Sequence, residues 1–197
     1  MVFLNREEKY FEGGKRDIFI YNKSILKVKK ANSKFFYPNE IELFIIKNNN
    51  YNILDHVPKF YGECDTNLGL GLMYEIIKDS DGSISKTLGE YIKNEGISEE
   101  LIIAVEKLKK YCYKNEILIN DLSLSCICVK RGPKGIKLYI CDGFGDKLES
   151  VLLYFCSKCL KKQIIKYKNR KLEYLIRNGE TSAKEWRNLT WIKKIFQ

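Results

Sequence analysis

Apolar patterning along this 197-residue chain changes character near residue 77, and that change limits the architectures open to it. Up to about Ile77 the pattern is strand-like. Asp17-Ile-Phe-Ile-Tyr is short and β-prone, Asn22-Lys23 makes a turn, and Ser24-Ile-Leu-Lys-Val-Lys is a second strand. Glu12-Gly13-Gly14-Lys15 is a glycine turn just ahead of that pair. Pro38-Asn39-Glu40 predicts a helix running to about Asn48, since proline and an acidic side chain suit a helix N-terminus. Leu68 to Ile77 predicts a further strand, ending in Tyr74-Glu75. Beyond it, Ser85 to Lys93 and Ser98 to Glu116 have helical spacing, with Leu101, Val105, Leu108 and Cys112 recurring on one face. Ile117–Ile119 and Ile127–Lys130 predict short strands, as does Lys137–Cys141 after the turn at Arg131–Gly135. From about residue 148 the chain reads as helical and basic. Strands gathered first and helices later predict an α+β fold. The expected organisation is one domain over 1–197, with a strand-rich lobe at 1–77, a connector at 78–84 and a helical lobe at 85–197.

Composition agrees with a soluble globular chain: 45% of residues are hydrophobic and 30% charged. No apolar run approaches the ~20 residues of a membrane-spanning helix, and the first residues turn acidic before a signal-like stretch develops. A cytoplasmic location is expected. The seven cysteines (64, 112, 126, 128, 141, 156 and 159) lie in apolar segments and read as reduced core residues. Cys156-x-x-Cys159 has no second pair, and the single histidine, His56, lies in a turn before Val57-Pro58, so a zinc or redox site is not expected. The net charge of +10 is concentrated at one end. Residues 158–197 hold twelve Lys/Arg and three Asp/Glu, against 23 and 22 in the preceding 157 residues. A solvated helical face accounts for this; an acidic partner or a membrane surface is the alternative. Nucleic-acid binding is the less favoured reading: Tyr167, Tyr174, Trp186 and Trp191 can stack on bases, but Leu160, Ile164, Tyr167 and Leu175 form an approximate packing stripe.

Four features in chain order carry chemistry. The turn at Gly13-Gly14 lets backbone N–H groups approach phosphate oxygens. Lys27 alternates with Leu26 and Val28, so it points to the other face of its strand and needs a counter-charge there, which Glu40 or Glu42 can supply. Asp121 follows an apolar strand and precedes a short loop, a place from which it can accept a proton from a substrate hydroxyl. Asp142 follows a second strand and enters a glycine-bracketed turn, Asp142-Gly143-Phe144-Gly145, where a carboxylate can hold a phosphate-bridging Mg²⁺. Two strand-delivered aspartates about 20 residues apart suit phosphoryl transfer.

The run Val57-Pro-Lys-Phe-Tyr-Gly-Glu-Cys-Asp-Thr-Asn-Leu-Gly-Leu-Gly-Leu is specific, as is Asp79-Ser-Asp-Gly-Ser-Ile-Ser-Lys-Thr-Leu. With Gly14-Lys-Arg-Asp-Ile-Phe-Ile-Tyr, Ile25-Leu-Lys27-Val and Asp142-Gly-Phe-Gly, these resemble the YrbL family, named for the PhoP regulatory network and belonging to the protein-kinase-like superfamily. The likeness spans roughly residues 10–175. It implies a two-lobed kinase-like fold with a nucleotide-type pocket for ATP and Mg²⁺. Lys27 would contact phosphates, with Glu40 preferred as its partner, and Tyr74-Glu75 would lie near the hinge that meets adenine. Asp121 would be the catalytic-loop aspartate and Asp142 the metal aspartate. The chain departs from the kinase pattern at Cys126, where a metal-binding asparagine is usual; a thiol is a poor Mg²⁺ ligand, and Ser125 is the nearby oxygen donor. Ile119-Asn120 replaces the usual His-Arg pair, and the glycine turn is minimal. The resemblance therefore implies either a phosphotransferase acting on a hydroxyl or a pseudokinase that keeps the pocket as a binding module.

Overall fold

Five strands form one antiparallel sheet, in the order β1-β2-β3-β5-β4, in the computed structural model. It describes residues 1–13, 15–30, 38–48 (side chains from 42 to 47), 55–119, 122–144 and 157–178. The strands are β1 (Phe11–Glu12), β2 (Arg16–Tyr21), β3 (Ser24–Lys29), β4 (Phe60–Thr66) and β5 (Gly69–Glu75). Asn22 and Lys23, at φ 45° and 62°, close the β2–β3 hairpin with the left-handed pair that matches strand twist. Lys27 lies opposite Ile18 on one side and Leu72 on the other. Alternation sends Phe19, Leu26 and Val28 to one face, where Leu4, Tyr21, Leu68 and Met73 pack on them. Lys27 is on the opposite face, as its spacing predicts.

The segment 60–75 differs from the single strand expected at Leu68–Ile77. It is a hairpin, and β4 pairs with β5 along the sheet edge. Tyr61, Glu63 and Asp65 point outward along β4, so half of that strand is solvated and carries no apolar signal. Helix α1 (Pro38–Asn48) runs over β3 and β5, close to its expected bounds.

Helices α2 (Leu88–Glu95) and α3 (Glu99–Lys114) pack on a two-stranded hairpin, β6 (Ile127–Gly132) with β7 (Gly135–Ile140), and α4 (Lys158–Asn178) packs on α3. The helix expected from Ser85 begins three residues later. Thr87 takes the N-cap with a reciprocal Glu90 contact, and the Ser85 hydroxyl is committed to Asp79. Ile117–Ile119 is not a strand; its three side chains are simply buried, which explains an apolar run without a partner strand. Leu88, Leu101, Leu108, Ile127, Leu138 and Ile140 are almost wholly enclosed between helices and hairpin, each contributing about 1.5–3 kcal/mol by burial. On α4 the buried residues are Ile165, Leu172, Leu175 and Ile176. This stripe is rotated from the expected Leu160, Ile164, Tyr167 and Leu175.

Between β5 and α2 the connector is closed on itself. The Asp79 N–H donates to the Ser83 carbonyl, Gly82 sits at φ 85°, and Lys78 bridges Ile84. The buried Asp79 carboxylate then ties this turn to β6. It accepts from the Ser85 hydroxyl at 2.6 Å, the Arg131 backbone N–H at 3.0 Å and Arg131 Nε at 2.6 Å. Asp79→Asn keeps the shape and removes the charge, so it should lower Tm by roughly 4–10 °C, the worth of a charge-assisted contact in a chain this size. An unchanged Tm in a calorimetric scan would assign the connector's position to its backbone bonds alone.

Candidate functional site

Four charged side chains from four chain segments meet on the inner face of the sheet. Arg16 opens β2, Lys27 is central in β3, Glu42 lies on α1, and Asp142 follows β7. Lys27 Nζ is 3.1 Å from Glu42 Oε1, 3.2 Å from Asp142 Oδ1 and 2.9 Å from the Cys141 carbonyl oxygen. Arg16 pairs through Nη1 with Glu42 Oε2, and its Nη2 lies 3.5 Å from Asp142 Oδ1. The Tyr74 hydroxyl donates to Glu42 Oε1 at 2.6 Å, and its ring lies 4.7 Å below Lys27 Nζ. Arg16, Lys27 and Glu42 are nearly sealed, whereas the Asp142 side chain is 47% exposed.

Burial alone would discharge these groups, and each is kept charged by its neighbours. Burial works to raise the Glu42 and Asp142 pKa values, but Arg16 and Lys27 hold both carboxyls below the ordinary carboxylate range. The Gly143 N–H adds to this at Asp142. Burial would lower Lys27, yet Asp142 and Glu42 leave it raised. Tyr74 is driven well above 10, first by burial and then by Glu42, so it remains a donor.

The cluster forms part of the wall of a cavity of about 750 Å³, bounded by the sheet on one side and by α2 and the β6–β7 hairpin on the other. Gly13, Tyr74, Glu75, Ser125, Cys126 and Asp142 all line it. Asp142 is delivered there by main chain: its N–H and that of Cys141 both donate to the Cys126 carbonyl. Gly143, at φ 90°, turns the chain and Phe144 buries itself in the core. Gly13 N–H donates to the Arg16 carbonyl at 3.0 Å, and a Cβ on Gly13 would lie 2.7 Å from that oxygen. The turn is thus closed on β2, with this amide already used.

Of the two carboxylates expected to serve Lys27, Glu42 does so; the Glu40 side chain lies outside the described residues, as do Gly14 and Asp121. Of the described residues on either side of Asp121, Ile119 is buried, and the Leu122 carbonyl accepts from Lys171 Nζ at 2.8 Å. Ser125 Oγ lies 2.7 Å from Ser123 Oγ, which also contacts Cys126 Sγ at 3.1 Å. Arg16 is the member of this cluster that sequence reasoning missed. Strand alternation was the available signal, because Arg16 and Ile18 share the face that carries Lys27.

The cysteines depart in part from expectation. Among the described cysteines only Cys112 and Cys126 are core residues; Cys64, Cys128 and Cys141 are half-buried and Cys159 is exposed. All six are free thiols, and burial pushes Cys112 up to about 12. Among the described residues no three His, Cys, Asp or Glu side chains converge on a metal position. Several α4 cations serve the fold itself: Lys171 holds Leu122, and Lys162 and Lys166 lie on the Tyr113 ring. No helix among the described residues is long and apolar enough to cross a membrane.

Glu42 and Asp142 have folded pKa values below their unfolded ones. Their stabilisation is complete above an unfolded pKa near 4 and is lost as pH falls through the depressed values. Lys27, shifted upward, contributes below 10.5 and loses its contribution as pH rises through the raised value. Glu42→Gln leaves two buried cations facing one carboxylate, so chemical denaturation should give a loss of about 3–5 kcal/mol at pH 7 and a shallower acid limb. Equal pH profiles for the two proteins would remove Glu42 from this account.

Comparison with known families agrees with the sequence motifs. The profile of the family described as PhoP regulatory network protein YrbL matches residues 2–194. The YrbL proteins of Escherichia coli (strain K12) and Shigella flexneri are each 30% identical over 113 residues, covering 54% of this chain and 53% of the relative. The chain spans about half the length of these curated relatives in the matched region. It belongs to the YrbL family.

Proposed function

We propose that this member of the YrbL family is a kinase-like protein that binds a nucleoside triphosphate, with Mg²⁺, in the cavity walled by Lys27 and Asp142. The observation that carries this is Lys27 itself. It is a sealed ammonium held between a helix carboxylate and a turn carboxylate, at the wall of a 750 Å³ cavity. A lysine so placed keeps its charge and its position for α- and β-phosphates. In this reading the five-stranded sheet with α1 is the smaller lobe, the α2–α4 region is the larger lobe, and the nucleotide lies between them. Tyr74-Glu75 ends β5 at the cavity edge, where a base would enter, although the Tyr74 hydroxyl is committed to Glu42.

The residues fit one Mg²⁺ carried in by the nucleotide better than a metal bound alone. Asp142 is a half-exposed carboxylate at the cavity wall, and Mg²⁺ keeps waters and phosphate oxygens for its other positions. There it would neutralise charge on the phosphates. Ser125 supplies the neighbouring hydroxyl. As a phosphotransferase, the protein would use Asp121 to accept the acceptor hydroxyl's proton while that oxygen bonds to the γ-phosphorus and the bond to the β-phosphate oxygen breaks, releasing the diphosphate.

Two observations favour a second reading, a regulatory module that binds nucleotide without turnover. Gly13 N–H is bonded within its own turn, and position 126 offers a thiol already in contact with Ser123. Thermal-shift titration separates these possibilities. ATP should raise Tm of the wild type, Mg²⁺ should add a further increment, and Asp142→Asn should lose that increment. Lys27→Met should lose the ATP response. Asp121→Asn should retain the full shift; in the phosphotransferase reading it abolishes phosphate transfer, and in the regulatory reading neither protein transfers phosphate. A wild type whose Tm ignores ATP under every condition would end the nucleotide reading.

A further inference from the structure

We propose that Arg16 is a second phosphate-binding cation of this site, and that it allows a nucleoside polyphosphate to bind without a divalent ion. The inference rests on the nucleotide reading above and adds a residue and a metal requirement to it. Two devices that normally receive phosphates are weakened here. The glycine turn spends its Gly13 N–H on the Arg16 carbonyl, and the residue five after Asp121 is Cys126, whose thiol touches Ser123. Against these losses stands one additional buried cation.

Charge balance decides what that cation does. Lys27 with Glu42 and Asp142 would carry a net charge of −1, which repels phosphate until a divalent ion intervenes. Arg16 brings the cluster to zero, with both carboxylates neutralised by cations at the cavity wall. Its donors are also unequally used. Nη1 pairs closely with Glu42, whereas Nη2 stands 3.5 Å from Asp142 Oδ1, beyond good hydrogen-bond distance. Arg16 lines the cavity, so a phosphate oxygen arriving beside Asp142 meets a guanidinium already fixed in orientation by Glu42. Guanidinium presents planar paired donors that match phosphate, and it stays charged at any working pH.

The test is ATP affinity by calorimetry, in EDTA and in Mg²⁺, for wild type and Arg16→Gln. The wild type should bind ATP in EDTA within about tenfold of its Mg²⁺ affinity, and Arg16→Gln should lose about tenfold to a hundredfold in EDTA, the worth of one charge-assisted contact. Its loss in Mg²⁺ should be smaller, because the metal then supplies the missing charge. Wild-type binding that requires Mg²⁺, or an Arg16→Gln variant unaffected in EDTA, overturns the inference and leaves the nucleotide reading standing. Failure to bind ATP in both conditions overturns that reading, and the inference with it. Should Arg16→Gln not fold, ¹⁵N NMR of the wild type decides the matter. ATP in EDTA should shift the Arg16 Nε–H resonance, assigned by its disappearance in Arg16→Lys. An unmoved resonance would make Arg16 a structural partner of Glu42 only.

Discussion

The buried carboxylate of Glu42 is the point on which the inner face of the sheet depends. It receives Arg16 from β2, Lys27 from β3 and the Tyr74 hydroxyl from β5, so one side chain on α1 joins three neighbouring strands. Each of those groups would be costly to bury alone, and none has a second fully buried anion to turn to among the described residues. Asp142 then completes the charge beside Lys27, at the end of a hairpin whose Ile127, Val129, Leu138 and Ile140 are packed in the main core. The sheet, α1 and the site therefore share one set of ion pairs. The arrangement is charge-balanced before any ligand arrives.

Much of the fold was legible because its local signals agreed with its packing. The β2–β3 hairpin, α1 and the Ser98-capped α3 appear where alternation, proline placement and 3.6-residue spacing put them. The misses occurred where tertiary contacts decided the outcome. β4 is an edge strand with one wet face, so it showed no continuous apolar run. Ile117–Ile119 did show such a run, but it is enclosed by helices without pairing to another strand. The start of α2 depended on Ser85 bonding Asp79, a contact between residues six apart that propensity cannot register.

The site was legible in its residue types more than in its partners. Lys27 could be assigned a face from Leu26 and Val28, and Asp142 from the strand before it. The choice between Glu40 and Glu42 required the rotational phase of α1, because residues two apart on a helix point in nearly opposite directions. Ile45 and Ile46, three and four residues after Glu42 and both buried, held that phase information. Arg16 was hidden by its position next to a glycine turn, where a basic side chain reads as solvated. The concentration of lysines on α4 has a partly internal use, since Lys171, Lys162 and Lys166 support the Leu122 segment and Tyr113.

The phosphate-contacting role proposed for Lys27 can be read out by covalent labelling. An ATP analogue carrying an acyl group on its terminal phosphate tests this directly, because a lysine lying against the bound phosphates takes the acyl group as an amide. Peptide mapping by mass spectrometry should find Lys27 labelled ahead of the exposed lysines, with the label suppressed by excess ATP. Labelling spread over the α4 lysines, with Lys27 unmodified and ATP without effect, would remove Lys27 from any nucleotide site.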